Sequence, residues 1–277
     1  EVLKGWRFWR PVKMAVASND GVRSFEVATA TARYPVYVGW DLLLQLGDRM
    51  RQAGLGGTAT IVSDEEVYQA YGDRTARVLQ EAGFAVNAIT VSPGEASKTL
   101  ASAIRIYNFL VEHRIERNDP IVALGGGVVG DLAGFVAATF LRGLPLVQVP
   151  TSLVAMVDAS IGGKVAVNHP QGKNLIGAFY QPRLVLADLK TLPTLPRREL
   201  VSGWAEVIKH ALILDRSLFQ FMESQAEALM QLEADPVAEA VSLMEDRPNP
   251  FNVLPVVDAR GRSVGLVQIH DLRARGL

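Results

Sequence analysis

Alternating and periodic apolar positions divide the chain into strands and helices that follow one another. Phe25 to Val38 alternates as a strand pair, and Tyr34-Pro35-Val36-Tyr37-Val38-Gly39 leads into a predicted helix that Asp41 caps and that runs to Ala53. Gly54 to Gly57 stop it. Ala59 to Asp64 reads as a buried strand, Glu65 to Ala82 as a helix, and Phe84 to Val91 as a third strand ending at Ser92-Pro93-Gly94-Glu95. In the next predicted helix, Ser97 to His113, Leu100, Ile104, Tyr107 and Val111 share one face, the spacing of a helix packed on a sheet. The apolar run Ile121 to Leu124 is a strand that ends in glycines, followed by a helical pattern of small residues from Leu132 to Thr139. Leu146 to Pro150 and Leu184 to Asp188 are further buried strands, and Thr191 to Pro196 is rich in turns. From Arg198 the period is helical, over Arg198 to Leu214 and Ser217 to Leu232.

Strands alternating with helices of this length predict an α/β fold with a parallel sheet covered on both faces. The expected organisation is a leader over 1–24, an α/β domain over 25–196, a partial helical domain over 197–240, and a short β-hairpin and helix tail over 241–277. Ligands of such sheets bind outside the carboxyl ends of the strands. Four polar clusters fall there: Asp64, then Glu95 with Lys98, then Gly127 to Asp131, then Thr151 with Ser152. Together they favour a dinucleotide more strongly than any glycine motif alone. For Asp64, a helix cap and a ribose contact are equally good readings.

Composition narrows the function without choosing it. The 277 residues are 49% apolar and 21% charged, with 28 basic and 29 acidic side chains and a net charge of -1. That balance calls for neither nucleic acid nor an anionic membrane, and it leaves room for a local basic pocket that takes a phosphorylated substrate. With no cysteine, disulfides and thiolate metal sites are excluded, which suits a cytoplasmic enzyme. No apolar run reaches the roughly eighteen residues of a membrane span. Glu1 to Lys13 mixes Trp6, Phe8 and Trp9 with Lys4, Arg7, Arg10 and Lys13, so it lacks a signal peptide's apolar core, and Met14 is a natural start.

The candidate chemistry lies between Leu124 and Pro182. Gly125-Gly126-Gly127-Val128-Val129-Gly130-Asp131 joins a strand to a helix start, where unhindered N–H groups and the positive helix end suit a pyrophosphate. A ligand-free turn that packs helix on sheet selects glycine equally well. More specific is the glycine-rich block that holds Asp158, Lys164, Asn168, Lys173 and Asn174, polar and charged groups that no core requires. Further on, Glu206 and Lys209 share a helix face beside His210, which by spacing alone reads as a surface ion pair.

At these residues the chain resembles the 3-dehydroquinate synthases. The family's Gly-Gly-Gly-x-x-Gly-Asp run, its Pro-Thr-[Thr/Ser]-Leu-x-Ala-x-x-Asp-x-Ser-x-Gly-Gly-Lys run and its Gly-Lys-Asn-x-Ile-Gly-x-Phe-x-Gln-Pro run stand here at Gly125, Pro150 and Gly172 onward. The resemblance implies NAD-dependent cyclisation of a seven-carbon keto-sugar phosphate to 3-dehydroquinate with loss of phosphate. It also implies a divalent metal, zinc or cobalt, and a homodimer or higher homo-oligomer. Carried over residue by residue, Gly94, Glu95, Lys98, Gly127, Val128, Val129, Gly130, Asp131, Thr151, Ser152, Lys173, Thr191 and Thr194 contact the cofactor. Asp158, Lys164, Asn174 and Lys209 contact substrate, Arg142 reaches a neighbouring subunit's site, and Glu206 is one of three metal ligands.

The resemblance ends near Ala240. The family's other two metal ligands are histidines in a Gly-His-Thr-x-Gly-His run, and His113, His169, His210 and His270 all lie in other contexts. The tail, with its Val253 to Val257 and Ser263 to Ile269 runs around Asp258-Ala259-Arg260-Gly261 and a helix capped by Asp271, resembles part of a cystathionine-β-synthase-type module of sugar-phosphate isomerases. Two functions of different class follow: a 3-dehydroquinate synthase-type lyase, or a catalytically silent NAD-binding protein with an oligomerising or regulatory tail. A metal-dependent polyol dehydrogenase shares the glycine turn but not the Gly172 to Phe179 run.

Overall fold

The computed structural model describes residues 17–19, 22–29, 32–245, 253–257 and 263–268. Among the described residues, ten strands lie in the unit that covers residues 1–246: β1 (Ala17–Asn19), β2 (Val22–Ala28), β3 (Arg33–Gly39), β4 (Thr58–Asp64), β5 (Ala85–Val91), β6 (Ile121–Gly125), β7 (Leu146–Pro150), β8 (Lys164–His169), β9 (Gly172–Phe179) and β10 (Leu184–Asp188). The helices are α1 (Leu46–Gln52), α2 (Glu65–Val67), α3 (Asp73–Glu81), α4 (Leu100–Glu112), α5 (Gly127–Thr139), α6 (Arg197–Leu214), α7 (Arg216–Ser224), α8 (Ala226–Met230) and α9 (Ala234–Glu245).

Eight strands form one sheet in the order β1-β2-β3-β10-β7-β6-β4-β5, and the six from β3 to β5 run parallel. The fold is therefore α/β, as the alternation predicts. Strand β1 and the start of β2, which pair antiparallel at this sheet's edge, come from the stretch expected as a leader. Strand periodicity divides the core between the two faces. Val122 and Leu124 of β6 join Leu46 and Met50 of α1 and Leu79 of α3 on one side, whereas Ile121 and Ala123 join Ile106 of α4 and Leu132 and Val136 of α5 on the other. Each fully buried Leu or Ile contributes about 2 kcal/mol of transfer free energy.

The helices after residue 196 share a core with the sheet rather than building one of their own. Trp204, Val207 and Ala211 of α6 and Val241 of α9 pack with Val36, Val38, Val185 and Ala187. Gly203 makes this approach close, because a Cβ there would stand 2.6 Å from Leu153 Cβ. The residues of the predicted helix 217–232 form two shorter helices, α7 and α8.

Two expectations fail, each for a physical reason. Asp41 does not cap a helix: its φ is 62°, and its carboxylate pairs with Arg74 at 2.7 Å and with Lys190. The cap comes from far along the chain, where buried Asp188 accepts from Leu43 N–H at 2.9 Å. The second error concerns α4, which buries Ala103, Ile106 and Leu110 and leaves Leu100, Ile104 and Val111 exposed. Both stripes have helical spacing, and the sheet takes the one with alanine, which lets the helix approach; the Thr99 hydroxyl accepts from Ser102 N–H and caps the helix at 3.1 Å. The glycine-rich block folds as an antiparallel hairpin of β8 and β9. Gly134 of α5 seats it, as a Cβ there would meet Val165 Cγ1 at 2.3 Å.

In the unit over 247–277, β11 (Val253–Val257) and β12 (Ser263–Gln268) pair antiparallel, the hairpin expected for the tail. Asp271, His270 and the helix expected there lie outside the described residues. No described helix is long and apolar enough to cross a membrane.

Candidate functional site

The parallel strands bring their carboxyl ends to one edge, and the site grows from there. At the end of β6, Gly126 starts α5 without a side-chain cap, and the first bond of the helix runs from Gly130 N to Gly126 O at 3.0 Å. The N–H groups of Gly127, Val128 and Val129 are thus left for a ligand. The gap over this turn is narrow: a Cβ on Gly126 would lie 3.4 Å from Ser152 Oγ, and one on Gly127 3.4 Å from Ala159 Cβ. Both neighbours belong to the segment after β7. Buried Thr151 binds Gly125 O through its own N–H at 3.0 Å, and its carbonyl accepts from Thr191 Oγ1 at 3.3 Å.

Beside this turn the structure gathers five of the expected residues. Lys98, only 4% exposed, is ion-paired with Asp131 of α5 and donates to Asn174 Oδ1 of β9 at 2.5 Å. Burial pushes the Asp131 carboxyl above the usual carboxylate range; Lys98 pulls it down, while Glu95 and Asp158 add to the rise. Glu95 Oε1 accepts from Asn168 Nδ2 at 2.7 Å and lies 3.7 Å from Lys173 Nζ. Asn174 holds φ at 58° and donates its backbone N–H to Asn168 Oδ1 at 2.9 Å. Glu95, Ala96, Thr99, Leu100 and the hairpin tip around His169 and Pro170 line an open hollow of about 720 Å³.

A second group lies on α6. Glu206 is ion-paired with Lys209, and His210 donates Nδ1–H to the Glu206 carbonyl at 2.9 Å. Burial, then the Lys209 charge, holds His210 below its ordinary pKa, and the Asp158 charge opposes them. Asp158, in the wide turn Ala155–Ala159, is thus felt both by Asp131 and by His210, which links the two groups electrostatically.

Other expected residues stand apart. Asp64 caps α2, accepting from Val67 N–H at 2.9 Å through Oδ1. Thr194 bonds Tyr71 Oη at 2.6 Å. Gly94 turns the chain with φ 92°, Lys164 is exposed at the start of β8, and Arg142 follows α5 at φ 67°. Two polar residues that sequence reasoning gave no role also sit in the site: Asn168, and buried Gln148, whose Nε2 donates to Gly130 O at 3.2 Å. A polar side chain in the apolar run of β7 was the available signal for Gln148.

Among known proteins, the family model described as 3-dehydroquinate synthase N-terminal matches residues 88–202. A 3-dehydroquinate synthase from Pelotomaculum thermopropionicum is 52% identical over 208 residues, 75% of this chain and 56% of that protein. A crystal structure of 2-deoxy-scyllo-inosose synthase complexed with carbaglucose-6-phosphate, NAD+ and Co2+ superposes with a TM-score of 0.71 at 28% identity, over 80% of this chain and 61% of that one. The 2-epi-5-epi-valiolone synthase from Streptomyces hygroscopicus with NAD+ and Zn2+ bound gives 0.69 at 31% identity, over 79% and 60%. The chain spans little more than half the length of the curated relatives it matches. Over three-quarters of its own length it is similar to 3-dehydroquinate synthases, and the matched segment holds the glycine turn, the Lys98 cluster and the hairpin.

Proposed function

We propose that this chain carries the NAD-holding part, and the first helices of the catalytic part, of a 3-dehydroquinate synthase-type lyase. The observation that carries this reading is the junction of three free N–H groups at the start of α5 with the buried Lys98, Asp131 and Asn174 cluster, all at the carboxyl edge of the sheet. With no Cβ at Gly126 and Gly127 beside Ser152 and Ala159, the backbone N–H groups can approach a pyrophosphate closely. The bound cofactors of the two synthases described above, and the names of the curated relatives, support the same assignment.

NAD, when bound, takes a hydride from a substrate alcohol and returns it. The chain's own residues hold and orient. The α5 amides and Ser152 flank the pyrophosphate, and Gly94, Glu95, Lys98, Asp131 and Lys173 fix the rest of the dinucleotide, with Thr151, Thr191 and Thr194 lining the next strand end. Asp158, Lys164, Asn174 and Lys209 hold the sugar phosphate, where ammonium groups offset the charge of the departing phosphate. Arg142 serves a neighbouring subunit in a homo-oligomer, and the tail hairpin is part of a cystathionine-β-synthase-type module that helps assemble it.

Zinc or cobalt does not fit the described residues. No group of three or more His, Asp, Glu or Cys side chains among them is placed to hold an ion, and Glu206 is already paired with Lys209. Such sites need three or four ligands, so no step is assigned to a metal here. The second reading is a silent NAD-binding protein. Titrating the purified chain with NAD by calorimetry, then assaying zinc-dependent phosphate release from the seven-carbon substrate, separates the two. Binding with release supports the lyase, binding without release the silent binder, and no binding defeats both.

A further inference from the structure

We infer that Asn168 is a positioning residue for NAD, an inference that rests on the reading of this site as a cofactor site. The β8–β9 ladder pairs Val167 with Ile176 and His169 with Gly172, and its register shifts between them, so Asn168 faces a bulge and has no partner in β9, bridging to Thr99 instead. Asn174 N–H is thereby released from the ladder. The Asn168 side chain replaces the lost partner, accepting that N–H at 2.9 Å and holding Asn174 at φ 58°, with its own Oδ1 turned to Lys98 Nζ at 2.5 Å.

An N–H can only donate, so Asn168 Oδ1 must face Asn174, and Nδ2 must face Glu95. There it donates to Oε1 at 2.7 Å, which leaves Glu95 Oε2 for a ligand. The main chain completes the link, with Asn168 N–H donating to Lys98 O at 2.8 Å. One amide thus sets the orientation of an acidic group, a buried lysine's neutral partner and the hairpin that carries both Lys173 and Asn174. Without it, Asn174 is free to relax toward extended backbone, and the Glu95 carboxylate loses its only uncharged donor among the described residues.

The test uses calorimetry with NAD on the full chain and three variants. Asn168→Ala and Asn168→Asp should each weaken binding about tenfold, the scale of a hydrogen bond to a charged group. Asp at 168 keeps an acceptor for Asn174 but sets a carboxylate against Glu95. Combining it with Glu95→Gln should restore most of the loss relative to Asn168→Asp, because the Gln amide donates to Asp at 168 and its oxygen faces the ligand. Hydrogen exchange over 172–179 should quicken in Asn168→Ala and stay close to wild type in Asn168→Asp. If the wild type binds NAD and both single variants bind within about twofold of it, the inference fails while the cofactor reading stands. If the double variant is no better than Asn168→Asp, Asn168 merely supports the hairpin and the inference also fails. A wild type that does not bind NAD ends the cofactor reading and takes this inference with it.

Discussion

Lys98 Nζ lies 2.5 Å from Asn174 Oδ1 and is at the same time ion-paired with the Asp131 carboxylate, so a nearly buried lysine joins the turn after β5 to α5 and to β9. Changing Lys98→Met keeps the stem and removes the charge, which leaves Asp131 without its cation. The expected cost is about 2 kcal/mol in urea unfolding, together with loss of measurable NAD binding. A variant that unfolds and binds as the wild type does would refute the cluster as a functional unit.

The raised pKa of Asp131 has a pH signature. A carboxyl whose folded value lies above its ordinary value of 3.8 holds more protons folded than unfolded, so its contribution to stability is full below 3.8 and is lost as pH rises through the folded value. Unfolding wild type and Asp131→Asn in parallel between about pH 4 and 7 isolates this group. The wild type's stability relative to the variant should decline as pH rises. An increase would mean that Lys98 outweighs burial.

Gly134 marks where the hairpin sits on α5. An Ala there points its Cβ at Val165, and the overpacking should cost about 1–3 kcal/mol despite the better helix propensity of Ala. Adding Val165→Ala removes the opposing methyls, so the double variant should be more stable than Gly134→Ala alone, as measured by thermal unfolding. Strict additivity of the two changes would show that these residues do not touch.

The two stripes of α4 separate in a simple comparison. Ile106→Ala, in the core, should destabilise by about 2–5 kcal/mol, whereas Ile104→Lys, on the exposed stripe, should stay within about 0.5 kcal/mol. Denaturant titration at low protein concentration reads both. A large loss at Ile104 would show that another surface covers it.

Strands buried on both faces were legible in the sequence because their apolar runs are continuous, as in Ile121 to Leu124, Leu146 to Pro150 and Leu184 to Asp188. The hairpin of β8 and β9 was not, because glycines and charges hide its alternation and its outer face stays open, with Phe179 83% exposed. The α4 face was misread since period alone cannot choose between two apolar stripes. Asp188 as the cap for Leu43 depends on a contact across 145 residues, which no local pattern encodes. At the site, residue types came from the family's motifs. Asn168 drew no role because its importance follows from a bulge, a feature of pairing and not of composition.

Strand β10 fills the gap between β3 and β7, pairing Val185 with Val36 on one side and Leu184 with Val147 on the other. Its partner β3 is about 150 residues earlier in the chain, a separation that makes this closure slow. A nascent polypeptide therefore carries two open sheet edges until residue 188 has been made, one on the ribbon of β1 to β3 and one on β7. Both edges remain available to wrong partners during that interval. The last parallel strand to be synthesised is the keystone that ends this exposure.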